Sequence, residues 1–175
     1  MPSTPLLDLR GHDTVAIIAF AQTGYPRLTQ ALLHELQDLL REIRLGGLFR
    51  GVVIAANARS FATGAAIDEV TTLAGTSGRS FSALGQKVFA QIGAFPLPVV
   101  AAIRGYCLGG GFDLALACHA RVATYDSSLG YPGGGSRDIQ WGWNPIGGGS
   151  NFDVGLTPNY LVGTTSVGTV TVTVS

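Results

Sequence analysis

Over residues 1–126, short β-branched runs alternate with segments of helical period. Val15–Phe20 (VAIIAF) is uninterrupted by a polar residue, which predicts a strand. In the segment that follows, Leu33, Leu36, Leu40 and Ile43 recur at steps of three and four, with Glu35, Asp38, Arg41 and Glu42 between them. That period gathers the apolar side chains on one face of an amphipathic helix. Thr29 is a suitable N-cap and Gly46 a suitable stop, so the helix is expected over Thr29–Arg44. Gly51–Ala55 (GVVIA) and Val99–Ile103 (VVAAI) predict two more buried strands, and Arg121–Thr124 a short fourth. A second amphipathic helix is expected over Phe81–Ile92, ended by Pro96 and Pro98, and a third over Gly110–Cys118. Strands alternating with helices argue for an α/β fold with largely parallel strands.

Past residue 127 this pattern stops. Of the 22 Asp, Glu, Lys and Arg residues, only Arg137, Asp138 and Asp153 lie beyond residue 126, whereas 11 of the 25 glycines do. Two GGGS stretches, Gly133–Ser136 and Gly147–Ser150, flank Trp141 and Trp143. Val167–Val174 alternates Val and Thr around one glycine, a pattern that suits an isolated or edge strand. The shift in composition sets a boundary, with a core of residues 1–126 and an atypical Gly/Ser/Thr/Val-rich tail of residues 127–175.

Charge narrows the function. The formal net charge is zero and Lys87 is the single lysine. Neither a phosphate-binding surface for nucleic acid nor a polybasic membrane patch is expected from that balance. Met1–Gly11 lacks a basic stretch followed by an apolar one, and Val15–Ala21 and Val99–Ile103 are too short to span a bilayer. Cys107 and Cys118 sit in apolar segments, so two reduced thiols in a cytoplasmic protein are expected. No His/Cys spacing supports a zinc site.

Candidate chemistry gathers in two turns. RSFATGAAIDE, Arg59–Glu69, follows the GVVIA strand, and RGYCLGGGFD, Arg104–Asp113, follows the VVAAI strand. In open α/β sheets ligands lie beyond the carboxyl ends of the strands, where such turns fall. Gly109, Gly110 and Gly111 open a helix, whose first N–H groups have no partner inside it. Alone, a strand–glycine–helix turn is more often plain turn chemistry. The spacing is not that of a dinucleotide fingerprint or a P-loop, and there is no G-x-S-x-G serine elbow.

The two turns together resemble the enoyl-CoA hydratase/isomerase (crotonase) superfamily. SFATGAAIDEV is similar to that family's F-x-x-G-A-D stretch. PVVAAIRGYCLGGGFDLALACHARVAT, running from Pro98 to Thr124, is similar without a gap to its P-V-I-A-A-V-x-G-x-x-x-G-G-G-x-E-L-A-L-A-C-D-x-R-I-A segment. The resemblance implies a ClpP/crotonase-type α/β fold of repeated ββα units, incomplete at the C-terminus. It implies an acyl-CoA enzyme that hydrates or isomerises enoyl-CoA, with coenzyme A arriving as part of the substrate and no separate cofactor.

By the same resemblance, the backbone N–H groups of Ala65 and Gly110 would form an oxyanion hole for the thioester oxygen. Ala62, Gly64, Ala65, Ala66, Ile67, Gly109 and Gly110 would line the acyl-CoA. The first catalytic carboxylate falls on Asp113, where hydratases usually carry Glu; Asp113 also reads as an ordinary helix N-terminal acid. The second carboxylate of hydratases would fall on Gly133, and Ala66 stands where the family usually has Asp. The resemblance further implies a homotrimer, built in the family through C-terminal helices that residues 134–175 do not resemble. The alternative is a non-catalytic, truncated crotonase fragment that at most binds acyl-CoA. His119 stands where the family usually has Asp, at a helix end, and reads as a capping or packing residue.

Overall fold

The computed structural model describes residues 4–57, 59–66, 76–130 and 140–142. Its main sheet has five strands: β1 (Leu7–His12), β2 (Val15–Phe20), β3 (Gly51–Ala55), β4 (Val99–Ile103) and β6 (Ala120–Ala123), in spatial order β1-β2-β3-β4-β6. From β2 to β6 every pairing is parallel. β1 joins β2 as an antiparallel hairpin, in register from Leu7↔Phe20 to His12↔Val15. A smaller sheet holds β5 (Tyr106–Leu108), β7 (Ser128–Gly130) and β8 (Gln140–Gly142) in that order.

Among the described residues, three helices fill the crossovers. α1 spans Gln30–Gly46, α2 Thr76–Gly93 and α3 Gly110–Ala117. Thr29 caps α1 as its sequence position predicts, its hydroxyl accepting from Leu32 N–H at 3.1 Å. The stop falls on Gly47 rather than Gly46, because Gly47 takes the left-handed conformation (φ 63°) that ends the helix. Leu32, Leu33, Leu36, Leu40 and Ile43 of α1 are all buried, each contributing about 1.5–3 kcal/mol relative to exposure. They pack in one core with Ala16, Ile18 and Phe20 of β2, Val52 and Ile54 of β3, Val99, Ala101 and Ile103 of β4, and Val88 and Ile92 of α2. Along β2, β3 and β4 these core members fall at every second residue, because the pleat turns alternate side chains toward the helices.

Two polar side chains fix the ends of this layer. The Glu35 carboxylate on α1 accepts from the N–H groups of Leu6 and Leu7 at 3.0–3.1 Å and so fixes where β1 begins. His119 Nδ1 accepts from Val99 N–H at 2.9 Å, and its Nε2 lies 3.2 Å from the Gly93 carbonyl. It therefore ties the start of β4 to the end of α2, the packing role its position suggested. No helix of the described residues is long and apolar enough to cross a membrane. Both GGGS runs and the Val167–Val174 segment lie outside the described residues.

Candidate active site

Three loops leave the carboxyl ends of β2, β3 and β4 and are laced together by their backbones. From the second loop, Thr63 N–H donates to Pro26 O at 2.8 Å. Leu28 N–H donates to Gly64 O at 2.8 Å and Ala66 N–H to Leu28 O at 2.9 Å, an isolated parallel bridge between Leu28 and Ala65. Toward the third loop, Phe61 and Ala62 N–H both donate to Tyr106 O, and Leu108 N–H donates to Ala62 O at 2.8 Å. Gly109 N–H then donates to Gly130 O at 2.8 Å, so the small sheet braces the turn that opens α3.

This lacing decides which amides remain. In a parallel bridge Leu28 bonds to the neighbours of Ala65, Gly64 and Ala66, so the N–H of Ala65 faces away from Leu28. Gly110 is the first residue of α3, where an N–H has no acceptor inside the helix. Among the described residues, neither the Ala65 N–H nor the Gly110 N–H makes a hydrogen bond. The two turns are in contact: a Cβ placed on Gly110 would lie 3.7 Å from the Ala65 nitrogen, and one placed on Gly64 would lie 3.7 Å from the Gly110 nitrogen. Two unengaged amides thus lie in neighbouring turns.

Glycine is required at two of these positions for different reasons. Gly64 has φ 104°, a conformation L side chains rarely take. Gly111 has no such φ, but a Cβ there would collide with the Ala62 carbonyl oxygen and lie 2.7 Å from the Ala62 Cβ. The absence of that Cβ lets the N-terminus of α3 rest directly on the second loop.

Asp113 lies in the first turn of α3, half-buried, with its N–H bonded to Gly109 O at 3.0 Å. The buried Cys107 thiol sits close enough to respond to the Asp113 charge. Burial pushes its pKa well above the ordinary thiol range, the Cys118 and Asp113 charges add to the rise, and Arg121 opposes it. Cys118 is pushed up to about 12 by burial, again opposed by Arg121. Both thiols are free and neutral and point to helix carbonyls, Cys107 to Gly111 O and Cys118 to Leu114 O, each at 3.4 Å.

Arg121, also buried, closes the other end of α3. One guanidinium nitrogen, Nη1, donates to the carbonyls of Ala115 (2.8 Å), Leu116 (3.1 Å) and Cys118 (2.9 Å). A cation at a helix C-terminus meets both the unpaired carbonyls and the negative end of the dipole.

Ala62, Gly64, Ala65, Ala66, Gly109, Gly110 and Asp113 are thus brought into one region, and Ile67 and Gly133 lie outside the described residues. Asn57 and Ser60, whose side chains bind the loops, were not singled out by the sequence. The available signal was an Asn two residues after a strand and two residues before a turn, the pattern of an Asx-turn. Arg121 was likewise read only as part of a strand.

Comparison with known proteins follows the same residues. The profile of a family described as Enoyl-CoA hydratase/isomerase matches residues 10–152. A Bacillus subtilis protein named probable enoyl-CoA hydratase is 38% identical over 119 residues, covering 67% of this chain and 46% of its own length. The fatty acid oxidation complex subunit alpha of Shewanella frigidimarina is 38% identical over 150 residues, covering 81% of this chain and 20% of its own length. The crystal structure of an enoyl-CoA hydratase from Bacillus anthracis superposes with a TM-score of 0.70 at 29% identity, over 73% of this chain and 50% of that one. The chain spans about half or less of the length of these relatives.

Proposed function

The chain belongs to the enoyl-CoA hydratase/isomerase family and has its crotonase-type α/β fold, and from that premise we propose that it binds an acyl-CoA thioester and stabilises the enolate of its acyl group. The observation that carries this reading is the pair of adjacent, unengaged amides of Ala65 and Gly110. A thioester oxygen gains negative charge when a proton leaves the neighbouring carbon. Each preorganised donor to that oxygen lowers the barrier by about 3–4 kcal/mol. Ala62, Gly64, Ala66, Ile67 and Gly109 would form the walls along the thioester. Asp113 would take the proton as a carboxylate and return it as the acid. The two buried thiols suit a reducing cytoplasm.

Of the two family reactions, we favour double-bond migration over hydration. Water addition uses two positioned acid/base groups, and Gly133 stands where the resemblance puts the second carboxylate. Migration needs one: Asp113 removes a proton from the carbon next to the thioester, the dienolate charge rests on the oxygen held by the two amides, and the same carboxyl returns the proton two carbons along. Coenzyme A enters and leaves as part of the substrate.

The test is a titration with acetoacetyl-CoA, followed by the ultraviolet absorbance of its enolate. A saturable band is expected, retained in Asp113→Ala, while that variant loses proton transfer to an enoyl-CoA. A soluble, folded protein that shows no band overturns the reading and leaves a non-catalytic relative of the family.

A further inference from the structure

We propose that Asn57 is a positioning residue for the amide pair, acting through Ser60 to hold the three loops at the spacing that brings Ala65 and Gly110 together. The inference rests on the enolate-binding reading above and adds the residue that sets its geometry.

The Asn57 side chain uses its whole hydrogen-bonding capacity. Its Nδ2 donates to the carbonyls of Gln22 and Gly24 in the first loop, the latter at 3.1 Å. Its Oδ1 accepts from the N–H groups of Arg59 and Ser60 in the second loop, both at 2.8 Å. Its own N–H closes the turn on Ser60 O at 3.1 Å. Ser60, fully buried, passes the connection on: its hydroxyl donates to the carbonyl of Tyr106, the first residue of β5 beyond the third loop, at 2.7 Å. That carbonyl also takes the N–H groups of Phe61 and Ala62. One pair of side chains, five and eight residues upstream of Ala65, therefore spans all three loops. Gln22 stiffens the first loop from within, accepting from Arg27 N–H at 3.0 Å and donating to Arg27 O at 3.2 Å.

Only an amide meets this set of partners, since two are acceptors and two are donors. A carboxylate of the same shape keeps the bonds from Arg59 and Ser60 but faces the Gln22 and Gly24 carbonyls with a charged acceptor. Asn57→Asp thus reverses one interface, between the first and second loops, at constant volume. The first loop carries Pro26 and Leu28, whose backbones hold Thr63, Gly64 and Ala66. Release of the first loop therefore moves Ala65 relative to Gly110.

The experiment measures acetoacetyl-CoA binding to the whole chain, separating the dissociation constant from the enolate absorbance at saturation. The parent protein must show the band; if it does not, the enolate-binding reading itself fails and Asn57 has nothing to position. With the band present, Asn57→Asp is expected to lower the saturating absorbance about tenfold or more, with Kd changed less than the absorbance. A displacement near 1 Å at such a site carries about a hundredfold effect. Ser60→Ala cuts the other end of the same chain with little change in volume. It is expected to lower the absorbance in the same direction by about threefold, and it serves as the measured variant should Asn57→Asp not fold. A purely structural role lowers the urea midpoint and leaves the band of the folded protein intact. The proposal is overturned if the folded variants keep the parental absorbance.

Discussion

Replacing Gly111 by alanine tests whether close contact between α3 and the second loop builds the site. The new methyl carbon would lie 2.7 Å from the Ala62 Cβ and 2.8 Å from the Ala62 carbonyl carbon, and would overlap the Ala62 oxygen. Relief of the tightest of these, the one to the oxygen, to an ordinary 3.4 Å contact requires the helix and loop to part by about 1 Å. Overpacking of this kind costs about 1–3 kcal/mol. The gain from alanine over glycine in a helix, about 1 kcal/mol, offsets part of it. The net expectation is a loss of up to about 2 kcal/mol and an enolate absorbance reduced about tenfold, because Ala65 and Gly110 are carried apart. Gly85, inside α2, is the internal control. A Cβ there would touch only Leu33 Cδ1 and Phe89 Cε2, each at 4.0 Å. Gly85→Ala should therefore stabilise by about 0.5–1 kcal/mol and leave binding alone. Urea unfolding and acetoacetyl-CoA titration of both variants are the assays. If Gly111→Ala proves as stable as Gly85→Ala and keeps the full band, the contact with Ala62 does not hold the site and the reasoning fails.

Three more outcomes are expected. Gly110→Ala puts a methyl 3.4 Å from Leu28 Cδ1 and 3.7 Å from the Ala65 nitrogen; the protein should fold within about 1 kcal/mol of the parent yet bind acetoacetyl-CoA at least about tenfold more weakly, as calorimetry would show. Arg121→Met removes the donor to three helix carbonyls and should cost about 2–3 kcal/mol in urea unfolding; an unchanged midpoint would contradict it. Burial raises the Cys118 pKa from 9.0 to about 12, so its contribution is fully present below pH 9 and is lost as pH rises toward 12, where the unfolded thiol ionises first. The urea midpoint should fall less steeply between pH 8 and 10.5 in Cys118→Ala than in the parent; equal slopes would count against the buried neutral thiol.

The parts of the fold legible in the sequence are those whose signal is local. The α1 stripe and the VAIIAF, GVVIA and VVAAI runs each carry their period within a few residues, and β2, β3 and β4 appear where those runs stand. β1 was missed because LDLRGH interleaves Leu7 and Leu9 with charge; it becomes a strand through its pairing with β2 and the Glu35 carboxylate. β5 and β7 are three residues each, and Cys107↔Leu129 pairing links positions far apart in sequence. No window around either could reveal it. The site divides in the same way. Gly64, Gly109 and Gly110 carry a motif, and it was the family resemblance of that motif that named Ala65, Gly110 and Asp113 as candidates. Beyond the local Asx-turn, Asn57 and Ser60 reach residues 22, 24 and 106, a relation that no spacing rule contains.

The two ends of α3 separate stability from chemistry. The helix has eight residues, with Arg121 on its last carbonyls and Gly110 at its open N-terminus. Helix-dipole effects fade within the first and last turns. In so short a helix the charge at one end would reach the other if the dipole, rather than the local N–H groups, governed the site. The structure puts the turns that carry Ala65 and Gly110 in contact, and only one of the two proposed donors belongs to the helix. Local donors should therefore dominate. Arg121→Met is then expected to destabilise the protein while leaving the enolate absorbance of the folded fraction within about twofold, and Gly110→Ala to do the reverse. Loss of the band in a folded Arg121→Met protein would instead make the helix dipole the main source of stabilisation, and the amide pair a secondary one.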